Sequence, residues 1–223
     1  MWAWWMNRNK ANAGETISTV EEVTRRAIIF ADNTYLSEDK PMQIAGQGRK
    51  AKERWVPPPP DVLKINTDGA FRNAEKDGAW GFVIRDCQGH GILAGAGHLN
   101  VVHDALAAEG EAVLAALKAA MDFGISRVAV ETDSSNLVIA LTSDKFDQAP
   151  GGVIYKDLRM LLAMYFIPLS ISYVSRFSNQ CAHELARYGL QRDPDQPVIW
   201  SDPLPNFVQT VLDRDLADPV MGE

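Results

Sequence analysis

The sequence predicts an α/β protein built on a mixed β-sheet with helices on its faces. Apolar residues alternate with period two in consecutive segments after residue 60, and a proline-free stretch with helical spacing occupies residues 104–122. Short strand and helix patterns then follow in turn to about residue 190. The resulting order, β-β-β-α-β-α-α-β-α, is that of a mixed sheet rather than a sandwich or a helix bundle.

Leu63, Ile65 and Thr67 alternate with Lys64, Asn66 and Asp68, which defines the first strand. AWGFVIRD (79–86) and GILAGAGH (91–98) flank CQGH and predict a hairpin whose Gly89 supplies a positive φ. Residues 104–122 hold few β-branched residues, and Val113, Leu114, Leu117, Ala120 and Met121 recur at helical spacing. SRVAVETD (126–133) reads as a short buried strand and Ser135 to Leu141 as a short helix. After QAPGG comes a helix over Val153 to Met164, ended by Pro168. LSISYVS (169–175) alternates as a strand, and a last helix runs from Asn179 to Tyr188, closed by Gly189.

The flanks differ in character. Residues 1–36 open on Trp2, Trp4 and Trp5, rings too costly to leave in water, so they pack either on the rest of the chain or on a protein partner. Ser18 and Glu21 form a capping box ahead of a helix over about 19–36, with Val20, Val23, Ala27, Phe30 and Ala31 on one face. Residues 37–60 read as a linker, with a basic knot (Arg49, Lys50, Lys52, Arg54) and a stiff WVPPPP. The α/β domain is placed at 61–190, and an acidic tail at 191–223 carries one helical candidate, Pro205 to Leu212.

A chain of 223 residues, 46% hydrophobic and 23% charged, has room for one well-filled core with appendages. Its net charge of -7 excludes binding to nucleic acid through bulk positive charge but leaves a local contact surface open. The two cysteines, Cys87 and Cys181, make neither a disulfide framework nor a zinc cluster and read as buried thiols in a reducing compartment. No apolar run is long enough to span a membrane, and the start has no cationic leader before its apolar part. An intracellular protein of nucleus or cytoplasm, without a membrane partner, is the expectation.

Three carboxylates stand at element ends: Asp68 after the first strand, Glu109 early in the long helix, Asp133 after the following strand. Hard divalent cations take oxygen ligands, so carboxylates converging from separate elements suffice to hold them. Glu109 shares its helix face with Val113, Ala116 and Ala120, whereas Glu111 falls with Lys118 and Asp122 on the wet side. Taken singly, an aspartate before glycine is more often a turn residue, and Asp133 before two serines more often a helix cap. His183 either joins this cluster or lines it. Asn66, Asn73, Ser134, Ser135 and Asn136 can donate to phosphates or 2′-hydroxyls, or cap helices. His90, His98 and His103 lack zinc spacing.

KINTDGAF, GAWGFVIRDCQG, DALAAEGEAVLAALKAA, VAVETDSSNLV and SNQCAHELARYGL, in that order over about residues 62–190, resemble the type-1 ribonuclease H family, in its plant retroelement-derived, reverse-transcriptase-like branch. WAWWMNRN with WVPPPP, and PVIWSDPLPNFVQTVLDRDL, are similar to the flanks of that branch. The resemblance implies a five-stranded mixed sheet of order 3-2-1-4-5 with helices on both faces. It also implies cleavage of the RNA strand of RNA–DNA hybrids with two Mg²⁺ or Mn²⁺ ions. Asp68, Glu109 and Asp133 fall on acidic catalytic positions, and His183, in NQCAHELA, falls where the family carries a fourth acid. Gly69, Asn73, Ser134, Asn136 and Asn179 are the matching substrate-binding candidates. A neutral imidazole adds no negative charge and suits Mn²⁺ better than Mg²⁺, so weakened turnover is implied. The alternative is a nucleic-acid-binding domain impaired in catalysis. The loop histidine and basic protrusion of some members have no match; Arg176 and Arg187 stand isolated.

Overall fold

The alternation through KINTDGAF extends into a ten-residue strand, β1 (Leu63–Arg72), that lies at the centre of the sheet. The computed structural model describes residues 54–166 and 169–216. Strands β2 (Asp77–Arg85) and β3 (Gly91–Leu99) continue antiparallel from β1 as a hairpin pair, with Gly89 at φ 86° in the second turn. On the other side β4 (Val128–Thr132) pairs parallel with β1, and β5 (Leu169–Tyr173) parallel with β4. The helices are α1 (Ala105–Asp122), α2 (Ser135–Thr142), α3 (Gly152–Tyr165), α4 (Gln180–Gly189) and α5 (Asn206–Leu216).

The sheet has six strands, in the order β5-β4-β1-β2-β3-β6, which corrects the expected five-stranded 3-2-1-4-5 arrangement. The added strand, β6 (Val198–Ser201), pairs antiparallel with β3. It escapes a sequence reading because only four residues long, it sits in a proline- and aspartate-rich tail. Its role is physical: without it the outer edge of β3 would present unpaired backbone groups.

Every residue of β2 is buried, as a central strand covered on both faces must be. Ile65, Phe82, Ile84, Leu93, Val128 and Val130 form one apolar face, packed by Val113, Leu117, Leu137, Leu141, Leu158 and Leu162 of α1, α2 and α3. The opposite face, Val83, Ala94 and Ala96, is covered by Cys181 and Leu185 of α4 and by Val208, Val211 and Leu212 of α5. Truncating a fully buried ring such as Phe82 to alanine costs about 3–5 kcal/mol.

Asp104 caps α1, its carboxylate accepting from Ala107 N at 2.8 Å. The predicted tail helix is longer than its sequence pattern and docks on the domain. Cys181 is buried as expected, but Cys87 is exposed, because the β2–β3 turn that holds it projects from the sheet. The tryptophan cluster, the helix expected over 19–36, most of the basic linker and Pro168 lie outside the described residues. No described helix is long and apolar enough to cross a membrane.

Candidate metal centre

Parallel pairing of β1 with β4 sets Thr67 opposite Thr132, so the next residues, Asp68 and Asp133, leave the sheet at the same edge. The third carboxylate arrives through a glycine. A Cβ on Gly69 would stand 2.4 Å from both the Ala108 carbonyl carbon and the Glu109 nitrogen, so only a residue without a side chain lets α1 press onto β1 here. Glu109 is thereby carried to the two aspartates, and one ligand oxygen from each of Asp68, Glu109 and Asp133 lies within 4.8 Å of the others. Glu111 lies outside this cluster, as the helical face predicts.

The same device works on the other face. Gly81 pairs with Asp68 across β1 and β2, and a Cβ there would meet Ala186 N at 2.2 Å and Ala182 O at 2.6 Å. With no Cβ in the way, α4 lies against the sheet and His183 Nδ1 sits 3.1 Å from Asp68 Oδ2. The short 3-10 turn before α4, Arg176–Asn179, adds two more groups. Asn179 Nδ2 donates to Thr67 O at 2.9 Å and lies 3.5 Å from Asp133 Oδ1. Arg176 Nε donates to Asp133 Oδ2 at 3.1 Å.

The site is an electrostatic misfit without a cation. Burial, and then the charges of Asp68 and Asp133, push the Glu109 carboxyl up to about 9, against hydrogen bonds from the Gly69 N–H and the Thr132 hydroxyl. Burial also raises Asp68, opposed by its hydrogen bond with His183, and that same bond raises the imidazole. Glu109 Oε2 is buried without a hydrogen-bond partner, as is Asn179 Oδ1. An orphaned carboxylate oxygen facing two further carboxylates is the donor set a hard divalent ion requires, and the three residues can hold one or two such ions.

The remaining candidates are distributed as follows. Gly69 is covered by α1, and Ser134 Oγ accepts from Leu137 N at 3.3 Å as the cap of α2. Asn136 is exposed on α2, and Asn73 lies in the β1–β2 turn, where its Oδ1 accepts from Lys76 at 2.8 Å. Asn179 stands beside Asp133 and is 1% exposed. Asn66, read as a rim donor, is instead buried among Trp55, Arg85 and Glu131, because its face of β1 is closed by these side chains. Arg176, taken as isolated, is part of the site; 43 residues separate it from Asp133, so only tertiary pairing reveals the contact.

A mixed sheet of this topology, with three carboxylates converging at the carboxyl edge of its parallel strands, is a ribonuclease H-like α/β fold with an acidic metal centre. Residues 66–189, more than half of the chain, match the family model described as "Reverse transcriptase-like", and the chain belongs to that family. Among solved structures, the N-terminal RNase H domain of a Mycobacterium tuberculosis protein superposes with a TM-score of 0.53 at 21% identity, covering 58% of this chain and 93% of that one. LC11-RNase H1, isolated from compost by a metagenomic approach, gives 0.54 at 22% identity over 58% of this chain and 96% of its own. The same enzyme in complex with an RNA/DNA hybrid gives 0.52 at 21% identity, over 57% and 96%. These likenesses establish the fold. No curated protein matches the chain.

Proposed function

We propose that the protein is a metal-dependent endonuclease that hydrolyses the RNA strand of RNA–DNA hybrids. The observation that carries the reading is the gathering of Asp68, Glu109 and Asp133 oxygens within 4.8 Å at one sheet edge. Asp68, Glu109 and Asp133 would hold one or two Mg²⁺ or Mn²⁺ ions, with His183, 3.1 Å from Asp68, at the fourth position. When bound, such ions supply an activated water and offset charge on the leaving oxygen. The chain's own residues do the rest. Asn179 and the Gly69 N–H orient the carboxylates, and Arg176 offers a cation beside Asp133 for a backbone phosphate.

Selectivity for a hybrid would come from a groove sensing 2′-hydroxyls on one strand and not from base edges. Gly69, Asn73, Ser134, Asn136 and Asn179 remain the candidates for backbone contacts. Descent from a plant retroelement is proposed on the motif order and flanking segments alone, with the nuclease domain at 61–190 extended by the docked β6 and α5, and two free cysteines accord with a reducing nuclear or cytoplasmic setting.

The test is direct. The full chain with Mg²⁺ or Mn²⁺ should cut a hybrid labelled on its RNA strand and leave 5′-phosphates. Folded protein inert in both metals refutes the reading. A second reading, hybrid binding without turnover, is favoured by one feature: His183 brings no negative charge to the fourth position and occupies an oxygen of Asp68 that an ion would otherwise take. Salt-sensitive hybrid affinity with no cleavage would establish it.

A further inference from the structure

One row of paired residues crosses the parallel half of the sheet: Thr67 on β1, Thr132 on β4, Tyr173 on β5. The first two are each followed by a carboxylate of the metal centre. The third, on the outermost strand, carries a ring that is 57% exposed. Two strand spacings, about 10 Å, separate its backbone from the strand that bears Asp68. The next residue holds it in place, since Val174 N donates to Thr132 O at 2.9 Å. Beyond it Arg176, with 71% of its side chain in solvent, reaches back to Asp133, and Phe177 follows at 45% exposed.

A tyrosine ring 57% exposed, on the strand next to the one that ends in Asp133 and three residues before the cationic Arg176, offers a flat face suited to a ligand that is flat, apolar on its face and anionic along its backbone. Nucleotides meet all three conditions. Arg176 attracts the phosphates beside Asp133, and the strand that carries Tyr173 runs about 10 Å from the strand that carries Asp68, a span of a few nucleotides at most. Inside a continuous duplex, both faces of every base are already covered by its neighbours. A protein ring can stack only on a base that is terminal or unpaired.

We propose that Tyr173 is a stacking platform for an unpaired base next to the metal centre, so that the protein engages hybrids preferentially where the duplex ends in a single-stranded extension. The proposal rests on the nuclease reading for the position of the strand, and it narrows the substrate from any hybrid to hybrid junctions. Tyr173 acts on binding and touches no reacting atom.

The experiment measures binding, separately from cleavage. Fluorescence anisotropy with the full chain, Ca²⁺ replacing Mg²⁺, compares a blunt RNA–DNA hybrid with hybrids of equal duplex length bearing a four-nucleotide 5′ or 3′ RNA overhang. One overhang should bind about tenfold more tightly than the blunt hybrid, the size of one base–aromatic stack. Tyr173→Ser should bring that ratio to about one, and Tyr173→Phe and Tyr173→Trp should keep it. An exposed ring can be replaced without unfolding the domain, and circular dichroism of each variant checks this. A ratio of one in the natural protein, or a ratio surviving in Tyr173→Ser, overturns the proposal. A Tyr173-dependent ratio without hybrid cleavage in Mg²⁺ or Mn²⁺ sinks the nuclease reading alone.

Discussion

Two residues on one face of β1, Asn66 and Asp68, stand in opposite electrostatic situations although a single residue separates them. Around Asn66 every charge faces an opposite one, although Arg85 Nε has no hydrogen-bond partner and burial lowers Arg85 and raises Asp215. Its Oδ1 accepts from Trp55 Nε1 at 2.9 Å and from Arg85 Nη2 at 2.7 Å, and its Nδ2 donates to Glu131 at 2.9 Å. Lys64 closes Glu131 at 2.6 Å, Asp215 of α5 closes the fully buried Arg85 at 2.9 Å, and the Trp55 ring lies 3.6 Å from that guanidinium. Around Asp68 three carboxylates face one another, an oxygen of Glu109 has no partner, and two pKa values are raised. Buried charge that serves the fold is neutralised within the chain, whereas buried charge that serves a ligand is left for the ligand to neutralise.

The largest effect is expected where the matched cluster is broken. Arg85→Leu leaves Asp215 buried without its cation and the Trp55 ring without its stack. It should cost about 3–5 kcal/mol in urea unfolding, and the double variant Arg85→Met with Asp215→Leu should recover most of it. A loss below about 1 kcal/mol would show the cluster to be solvated and the contrast false.

Next is the unmatched cluster. Asp68→Asn should lower hybrid cleavage at least about 100-fold while leaving the urea midpoint unchanged or higher, since it removes one of the repelling charges. Full activity in this variant would remove Asp68 from the chemistry. A lowered midpoint would make Asp68 a structural residue like its neighbour.

The two clusters were not equally open to a reading of the sequence. Asp68, Glu109 and Asp133 stand at element ends, where period-two and period-3.6 patterns place a residue well, and Glu109 could be chosen over Glu111 on helical phase alone. The matched cluster joins Trp55 and Asp215, which lie 160 positions apart in segments of linker and tail composition, so nothing local announces it. β6 was missed for a related reason: four residues are too few to display a period, and only the open edge of β3 gives them a place. Gly69 and Gly81 lay between the two cases. Each stood visibly inside a strand pattern, yet which helix backbone needed the space is a tertiary fact.

A third effect separates the clusters by proton traffic. The Glu109 carboxyl, raised from 4.5 to about 9, is protonated at neutral pH in the metal-free protein. A divalent ion binds the deprotonated form, so uptake at pH 7 must release at least one proton, and apparent affinity should rise about tenfold per pH unit until pH 9. The metal-free fold changes the other way. Between 4.5 and 9 the native state holds a proton that the unfolded chain has lost, so its stability falls as pH rises through that window. Calorimetric Mn²⁺ titrations in buffers of different ionisation enthalpy measure the released proton. Uptake that is independent of pH would place Glu109 outside the ligand set.

The smallest expected effect bears on the one group that belongs to both descriptions. His183 is the sole neutralising partner of Asp68 on α4, through a 3.1 Å contact that raises the imidazole pKa, so in part it does for Asp68 what Arg85 does for Asp215. Each partner stabilises its carboxylate in the absence of metal, and His183 does so at the cost of the negative charge a second cation would meet. His183→Asp reverses both terms. It should destabilise the metal-free protein by about 1 kcal/mol, because a favourable contact becomes a repulsion. It should also raise Mg²⁺-supported cleavage several-fold, because a hard ion gains an oxygen ligand in place of an imidazole nitrogen. Rates at matched Mg²⁺ and Mn²⁺ concentrations separate the possibilities. A gain confined to Mg²⁺ identifies charge as what the fourth position lacks. A fall in both metals identifies the imidazole as a working proton donor, and it would place His183 with the chemistry and not with the neutralising contacts of the fold.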